Sequence, residues 1–172
     1  SGLSNVNINT IIEDVCRTVY EEISVYEIDE AILNAIRAKI EEHYDYSYLA
    51  ARVLLDKMYC RTVGKSIYSD MRLEFKQRFK EYIAKGIDEK LLNPKLKEFD
   101  LDKIADALDT RRDFLFLFLG LQTLYDRYLL RERKSEEVFE LPQWMWMRVA
   151  MGLALQEQDK EGYAIKFYDV LS

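Results

Sequence analysis

The 172 residues are 49% hydrophobic and 33% charged, with a formal net charge of −6. This profile is typical of a soluble globular protein, and the negative charge argues against nucleic acid as a partner, because phosphate-backbone binding depends on clustered Lys and Arg. No apolar run approaches the roughly 18 residues of a membrane span and no signal peptide is visible, so we expect a cytoplasmic protein with no membrane partner. Six glycines and two prolines are few for the turns of a strand-rich domain, and this scarcity favours long helices.

Apolar residues at helical spacing predict four helices in the first half of the chain. Either Asn7 or Asn9 is expected to cap the first helix, and Gly86 is expected to end the fourth. The four predicted helices cover residues 10–22, 28–43, 46–60 and 66–85.

Residues 91–99 are predicted to connect this half to a short helix over 100–108, which Asp100 caps. The stretch 111–131 is predicted to form one helix, which carries six consecutive apolar residues at 114–119. Because its first half is apolar on all sides, we expect this helix to be buried at that end and to be the packing centre of the fold.

After a charged turn at 132–137, Pro142 is placed to begin a helix that continues to residue 157. A final helix is predicted over 160–171. Taken together, these elements predict an all-α fold, a multi-helix orthogonal bundle.

Two tryptophans and three methionines crowd the helix that Pro142 begins, a run that fits a cofactor pocket but is more often a core or an interface. Trp144 and Trp146 lie about 200° apart on a helix, so they cannot both face one core. We therefore expect one of these indoles to meet another domain.

Two patterns suggest anion binding, and the neighbouring residues favour a simpler interpretation of each. Gly64-Lys65-Ser66 resembles the end of a phosphate-binding loop, but that loop needs a glycine where Tyr59 stands, so a turn between helices is expected. Arg72, Lys76 and Lys80 share one helix face. Nearby acidic residues favour a solvated face with i,i+4 ion pairs over a nucleic-acid patch.

No residue is predicted to be catalytic, to bind a cofactor or to ligate a metal. His43, the only histidine, is expected to be exposed at a helix end, because a di-iron carboxylate site needs Glu-x-x-His on two helices. Cys16 and Cys60 form no ligand spacing, and we expect them to be reduced thiols that are buried as small residues.

Three segments resemble the N-terminal helical part of the large, catalytic subunit of class I ribonucleoside-diphosphate reductase. They are YDYSYLAARVLLDKMY (44–59), RDFLFLFLGLQTLYDRYLL (112–130) and ELPQWMWMRVAMGLALQE (140–157). AIKFYDVLS (164–172) resembles the point where the family's helical domain gives way to its catalytic barrel, and FKEYIAKGIDEKLL (79–92) fits the connecting segment. The resemblance covers residues 44–172 as one helical domain.

This resemblance implies part of an oxidoreductase that reduces ribonucleoside diphosphates to deoxyribonucleoside diphosphates for DNA synthesis. In that family the thiyl radical and the reducing cysteine pair lie on the barrel, so this chain is expected to be inactive alone, to pack on the barrel of the same chain and to expose an apolar patch. The implied partners of the whole protein are a small, radical-generating subunit and further large subunits in a homo-oligomer. The alternative is a free-standing helical protein-interaction module without enzymatic activity.

Residues 1–43 resemble the last helices of an ATP-cone, the family's regulatory module for the allosteric effectors ATP and dATP. Where family members often place Thr and His toward the nucleotide, this sequence has Val25 and Asp29. Valine offers no hydrogen bond and an aspartate repels phosphate, so both departures argue against effector binding here. The cone is either truncated in this chain or degenerate, and the helical domain would link it to the barrel.

Overall fold

The structure is a computed structural model, described here for residues 3–172. Ser1 and Gly2, the first positions of the predicted 1–43 segment, lie outside the described residues. The α-helices are α1 (Ile8–Thr18), α2 (Val25–Arg37), α3 (Asp45–Thr62), α4 (Arg72–Asp88), α5 (Leu101–Asp106), α6 (Phe118–Arg127), α7 (Pro142–Ala154) and α8 (Lys160–Leu171). Residues 3–172 contain no β-strand, so the predicted all-α class is confirmed.

Three shorter features connect these helices. Two 3-10 helices, Pro94–Glu98 and Thr110–Leu115, flank α5. The charged turn after α6 is closed by an isolated antiparallel bridge between Arg131 and Val138.

Local side-chain hydrogen bonds fix where several helices begin. Asn7, rather than Asn9, caps α1, because its side chain accepts from the backbone of Asn9 and Thr10. Ser24 and Glu27 form a capping box, so α2 begins three residues before the predicted start at residue 28. Asp100 caps α5 and Pro142 opens α7, as the sequence predicts.

The fourth predicted helix differs from the structure at both ends. The backbone N–H of Ile67 donates to the Asp56 carboxylate (3.0 Å), which holds the chain in a turn before α4 begins at Arg72. Gly86 lies inside α4 and does not end it. A Cβ at Gly86 would lie 2.5 Å from Leu92 Cδ1, so the glycine is needed for close packing, and the chain reverses instead at Lys90 (φ +57°).

The predicted helix over 111–131 is wrong in its first half. The chain forms the 3-10 helix Thr110–Leu115, passes through an extended Phe116 and Leu117, and only then enters α6. Burial alternates along the run: its phenylalanines are buried or half-buried and its leucines are exposed. Leu115 and Leu119 are 74% and 76% exposed, so this end is not buried as predicted.

The packing centre is α7 rather than the 111–131 stretch. Trp144 is 1% exposed, and its indole lies 5.2 to 6.1 Å from the rings of Phe75, Phe79 and Tyr82 on α4. Such ring clusters bury large apolar areas and dominate core energetics. Trp146 is half-buried at the edge of the core, so the two indoles do occupy different environments. A contact of Trp146 with another domain stays a prediction.

Candidate functional site

The Gly64-Lys65-Ser66 segment is a turn between α3 and the region before α4, as predicted. Gly64 adopts a left-handed conformation (φ +82°) directly after the helix, which glycine does at little cost. The Lys65 ammonium lies 2.5 Å from the Glu74 carboxylate. This lysine is therefore paired with a carboxylate on α4.

His43 and the two cysteines were placed incorrectly from the sequence. His43 is half-buried beyond the end of α2, and its Nδ1 accepts from the backbone N–H of Asp45 (3.1 Å), so it supports the first turn of α3. Cys16 and Cys60 are exposed rather than buried. Across residues 3–172, no three His, Cys, Asp or Glu side chains are grouped to hold a metal ion.

Two lysines of the basic row on α4 form ion pairs with carboxylates on the neighbouring helix α5. Lys80 lies 2.8 Å from Asp102, and Lys76 forms an ion pair with Asp106. The predicted i,i+4 pairing is therefore wrong for these two lysines, which instead join two helices across a surface.

A groove of about 490 Å³ separates α2 from α3 on the side that carries Asp29. Lys57 on its wall pairs with Glu30 and lies 4.6 Å from the Tyr26 ring centroid, so its charge is already engaged. Val25 is 76% exposed and does not line the groove. The residues that line it are Asp29, Ile32, Leu49, Arg52, Val53, Asp56, Lys57, Cys60, Arg61 and Tyr68.

Acidic side chains shape the chemistry of this groove. Partial burial raises the pKa of the Cys60 thiol, and the nearby carboxylates of Asp56 and Asp29 raise that pKa further. Because the thiolate is the nucleophile, the raised pKa makes Cys60 less nucleophilic than an ordinary cysteine at neutral pH. The wall also carries Arg52 and Arg61, so the groove holds charges of both signs.

A chain of buried hydrogen bonds joins α3, α7 and α8 through Asp113. The Tyr59 hydroxyl donates to Asp113 Oδ2 (2.6 Å), and the Gln143 amide donates to Oδ1 (2.6 Å). The Tyr168 hydroxyl then donates to the Gln143 carbonyl oxygen (2.5 Å) and accepts from the backbone N–H of Asp109 (2.9 Å). We call Tyr59, Asp113, Gln143 and Tyr168 the Asp113 relay.

Burial is the main cause of the raised pKa values of Asp113 and Tyr59 in this relay. It raises the pKa of Asp113 to about 7, against the opposing effect of the hydrogen bonds from Tyr59 and Gln143. Burial, together with the neighbouring Asp113, also places the pKa of Tyr59 well above its ordinary value.

A second buried carboxylate lies on the other side of the core. Glu140 accepts from the Arg148 guanidinium at 2.6 and 3.2 Å, from the Tyr82 hydroxyl, and from the backbone N–H of Leu130 (2.9 Å). Sequence patterns gave no indication of Asp113 or Glu140 as special. Their partners lie as far as 58 residues away, so only the fold brings them together.

Several apolar side chains are exposed to solvent in the second half of the chain. Leu115, Leu117 and Leu119, which we call the leucine row, are exposed at the end of the 3-10 helix, in the extended segment and at the start of α6. Val170, close to the end of α8, is 85% exposed. Contiguous exposed apolar side chains mark interaction surfaces.

Comparison with known proteins identifies the class of this fold. Residues 114–172, which contain the whole leucine row together with α6, α7 and α8, match the family model for the all-alpha domain of ribonucleotide reductase. Two bacterial relatives are the ribonucleoside-diphosphate reductase alpha subunits of Chlamydia trachomatis (48% identical over 89% of this chain) and Helicobacter pylori (35% over 88%). The large subunit of Plasmodium falciparum is 28% identical over 94% of the chain.

The chain belongs to the family of ribonucleoside-diphosphate reductase large subunits. It spans 14% of the Chlamydia relative, 18% of the Helicobacter relative and 19% of the Plasmodium relative. These alignments cover more of the chain than residues 44–172 alone could supply, so the relationship extends into the first 43 residues. None of the helices in residues 3–172 is long and apolar enough to cross a bilayer.

Proposed function

We propose that this chain is the helical, non-catalytic part of a ribonucleoside-diphosphate reductase large subunit. In that role it packs against the catalytic barrel of the same polypeptide and connects the barrel to the cone-like helices of residues 1–43. The whole enzyme, an oxidoreductase, supplies deoxyribonucleoside diphosphates, together with a small radical-generating subunit and further copies of the large subunit. The relationship to named reductase subunits supports this assignment.

The leucine row carries the structural part of the proposal. Leu115 and Leu119 are each about three-quarters exposed, although they flank a segment whose phenylalanines pack on the core. Covering two leucine side chains that otherwise face water is worth about 1.5–3 kcal/mol each. We infer that the rest of the large subunit covers this row.

The test compares full-length large subunits that carry Leu115→Ser with Leu119→Ser, or Leu73→Ser alone as the control. Leu73 on α4 is 80% exposed but lies outside the leucine row, so its substitution is expected to change neither stability nor activity. The paired substitution is expected to lower the thermal stability of the full-length subunit and its reductase activity, while the isolated chain unfolds as before. Full activity and unchanged stability in the paired variant would contradict the proposed packing.

We also propose that the groove between α2 and α3 does not bind ATP or dATP. Asp29 and Asp56 place carboxylates on its wall beside Arg52 and Arg61, and Lys57 is already engaged by Glu30. Val25, at the other departure from the family pattern, does not line the groove. Isothermal titration of the chain with each nucleotide is expected to give no saturable heat. A titration that saturates near one equivalent would show that the cone-like helices keep an effector site despite Val25 and Asp29.

A further inference from the structure

Asp113 and Glu140 are the two carboxyl groups with no exposed surface in residues 3–172, and their surroundings differ in one respect. Glu140 is bonded by the guanidinium of Arg148. Asp113 is bonded by neutral donors, the hydroxyl of Tyr59 and the amide of Gln143. An ionised carboxylate that is buried without a cation is costly, whereas one that is paired is compensated.

The hydrogen bonds of the Asp113 relay partly offset the rise in the Asp113 pKa that burial causes. Each donor in the relay points toward the carboxylate: Asp109 N–H to Tyr168, Tyr168 to Gln143, and both Gln143 and Tyr59 to Asp113. Donors that converge on a carboxylate favour its ionised form. Burial and hydrogen bonding therefore oppose each other at Asp113, and the balance places its titration near neutrality.

Few charged groups affect the ionisation of Asp113. Asp109, which caps the 3-10 helix that carries Asp113, adds a repulsion that disfavours ionisation of Asp113. Arg112 faces away, because it pairs with Asp169 (2.7 Å) and lies over the Tyr168 ring (4.9 Å). The groups presented by α3, α7 and α8 are the relay members themselves, and their two hydroxyls do not ionise at neutral pH.

We propose that the Asp113 relay is a proton-sensitive latch that holds α8 to α7 and, through Asp113, to α3, and that weakens when Asp113 ionises. When Asp113 is protonated, the buried relay contains no uncompensated charge and stays closed. When Asp113 ionises, any opening that admits water to the carboxylate is favoured. Because Tyr168 is the relay's member on α8, this opening loosens the C-terminal part of α8, which also carries the exposed Val170.

Proton linkage determines how the stability of the folded chain changes with pH. The pKa of Asp113 is raised in the folded state, so the folded chain holds a proton that the opened chain releases between about pH 4 and pH 7. The contribution of Asp113 to stability is therefore greatest at the acidic end of this window and is lost as pH rises through it.

The test uses the chain with ¹³C-labelled aspartate carboxyls, titrated by NMR, together with amide hydrogen exchange of α8 at pH 6 and pH 8, corrected for intrinsic rates. One aspartate carboxyl is expected to titrate near pH 7, and protection of the α8 amides is expected to fall at pH 8. Asp113→Asn should remove both effects. The control is Asp126→Asn, which replaces an exposed carboxylate bound by Gln122 and should leave both effects unchanged.

A second variant keeps the test decisive if Asp113→Asn does not fold. Tyr59→Phe removes one hydrogen bond to the ionised form, so the titration midpoint is expected to move upward by about one pH unit or more. The latch would be overturned if every aspartate carboxyl titrated below pH 5. It would also be overturned if the α8 amides were equally protected at both pH values.

Discussion

The Arg148 guanidinium neutralises the carboxylate of Glu140, with its Nε 2.6 Å from an oxygen that has no exposed surface. Arg148→Met would leave that charge buried without a cation, and the chain is expected to lose about 3–5 kcal/mol of unfolding free energy. Urea denaturation measures this loss.

The control for Arg148→Met is Arg78→Met, which removes an exposed pair with Glu81 and should produce little change. Adding Glu140→Gln to Arg148→Met is expected to recover part of the lost stability, because the unpaired charge is removed. If Arg148→Met were as mild as Arg78→Met, the buried ion pair would not stabilise the fold.

Two helical glycines are expected to respond in opposite ways to alanine. Gly86→Ala brings a methyl group into Leu92, so we expect the unfolding free energy to fall by about 1–3 kcal/mol. Gly152→Ala on α7 meets no atom within 4 Å, and better helix propensity should raise the unfolding free energy by about 0.5–1 kcal/mol. Thermal unfolding of the two variants side by side measures both changes. Equal effects would contradict the close approach of Leu92 to α4.

The parts of the fold that the sequence predicted well depend on neighbouring residues. Asn7, Asp100 and Pro142 act on backbone groups within a few positions, so their roles are visible in a local pattern. The bounds of α8 were likewise predicted correctly.

The sequence-based predictions were wrong where distant residues determine the local conformation. The run at 114–119 is compatible with a helix by composition, but Asp113 beside it is held by Tyr59, 54 positions away. Ser47 also accepts from the backbone N–H of Phe118, at the first turn of α6. The role of Gly86 likewise depends on the return of the chain after Lys90.

The capping box of α2 predicts an acid-dependent loss of stability. Hydrogen bonds from Ser24 and Tyr20 lower the pKa of Glu27 to about 2 from 4.5. A lowered pKa means that the stabilisation is present above about pH 4.5 and is lost as pH falls toward 2. Circular dichroism of wild type and Glu27→Gln between pH 2 and pH 6 measures this loss. We expect the variant to show less helix loss in that window, and an identical acid profile would contradict the cap.

The packing of the leucine row against the rest of the large subunit is tested most directly by hydroxyl-radical footprinting. Leu115, Leu117 and Leu119 would be labelled in the isolated chain and in the full-length subunit, with exposed Leu73 as the internal reference. We predict that labelling of the row falls several-fold in the full-length subunit while labelling of Leu73 stays the same. Equal labelling of the row in both proteins would show that the barrel does not cover it.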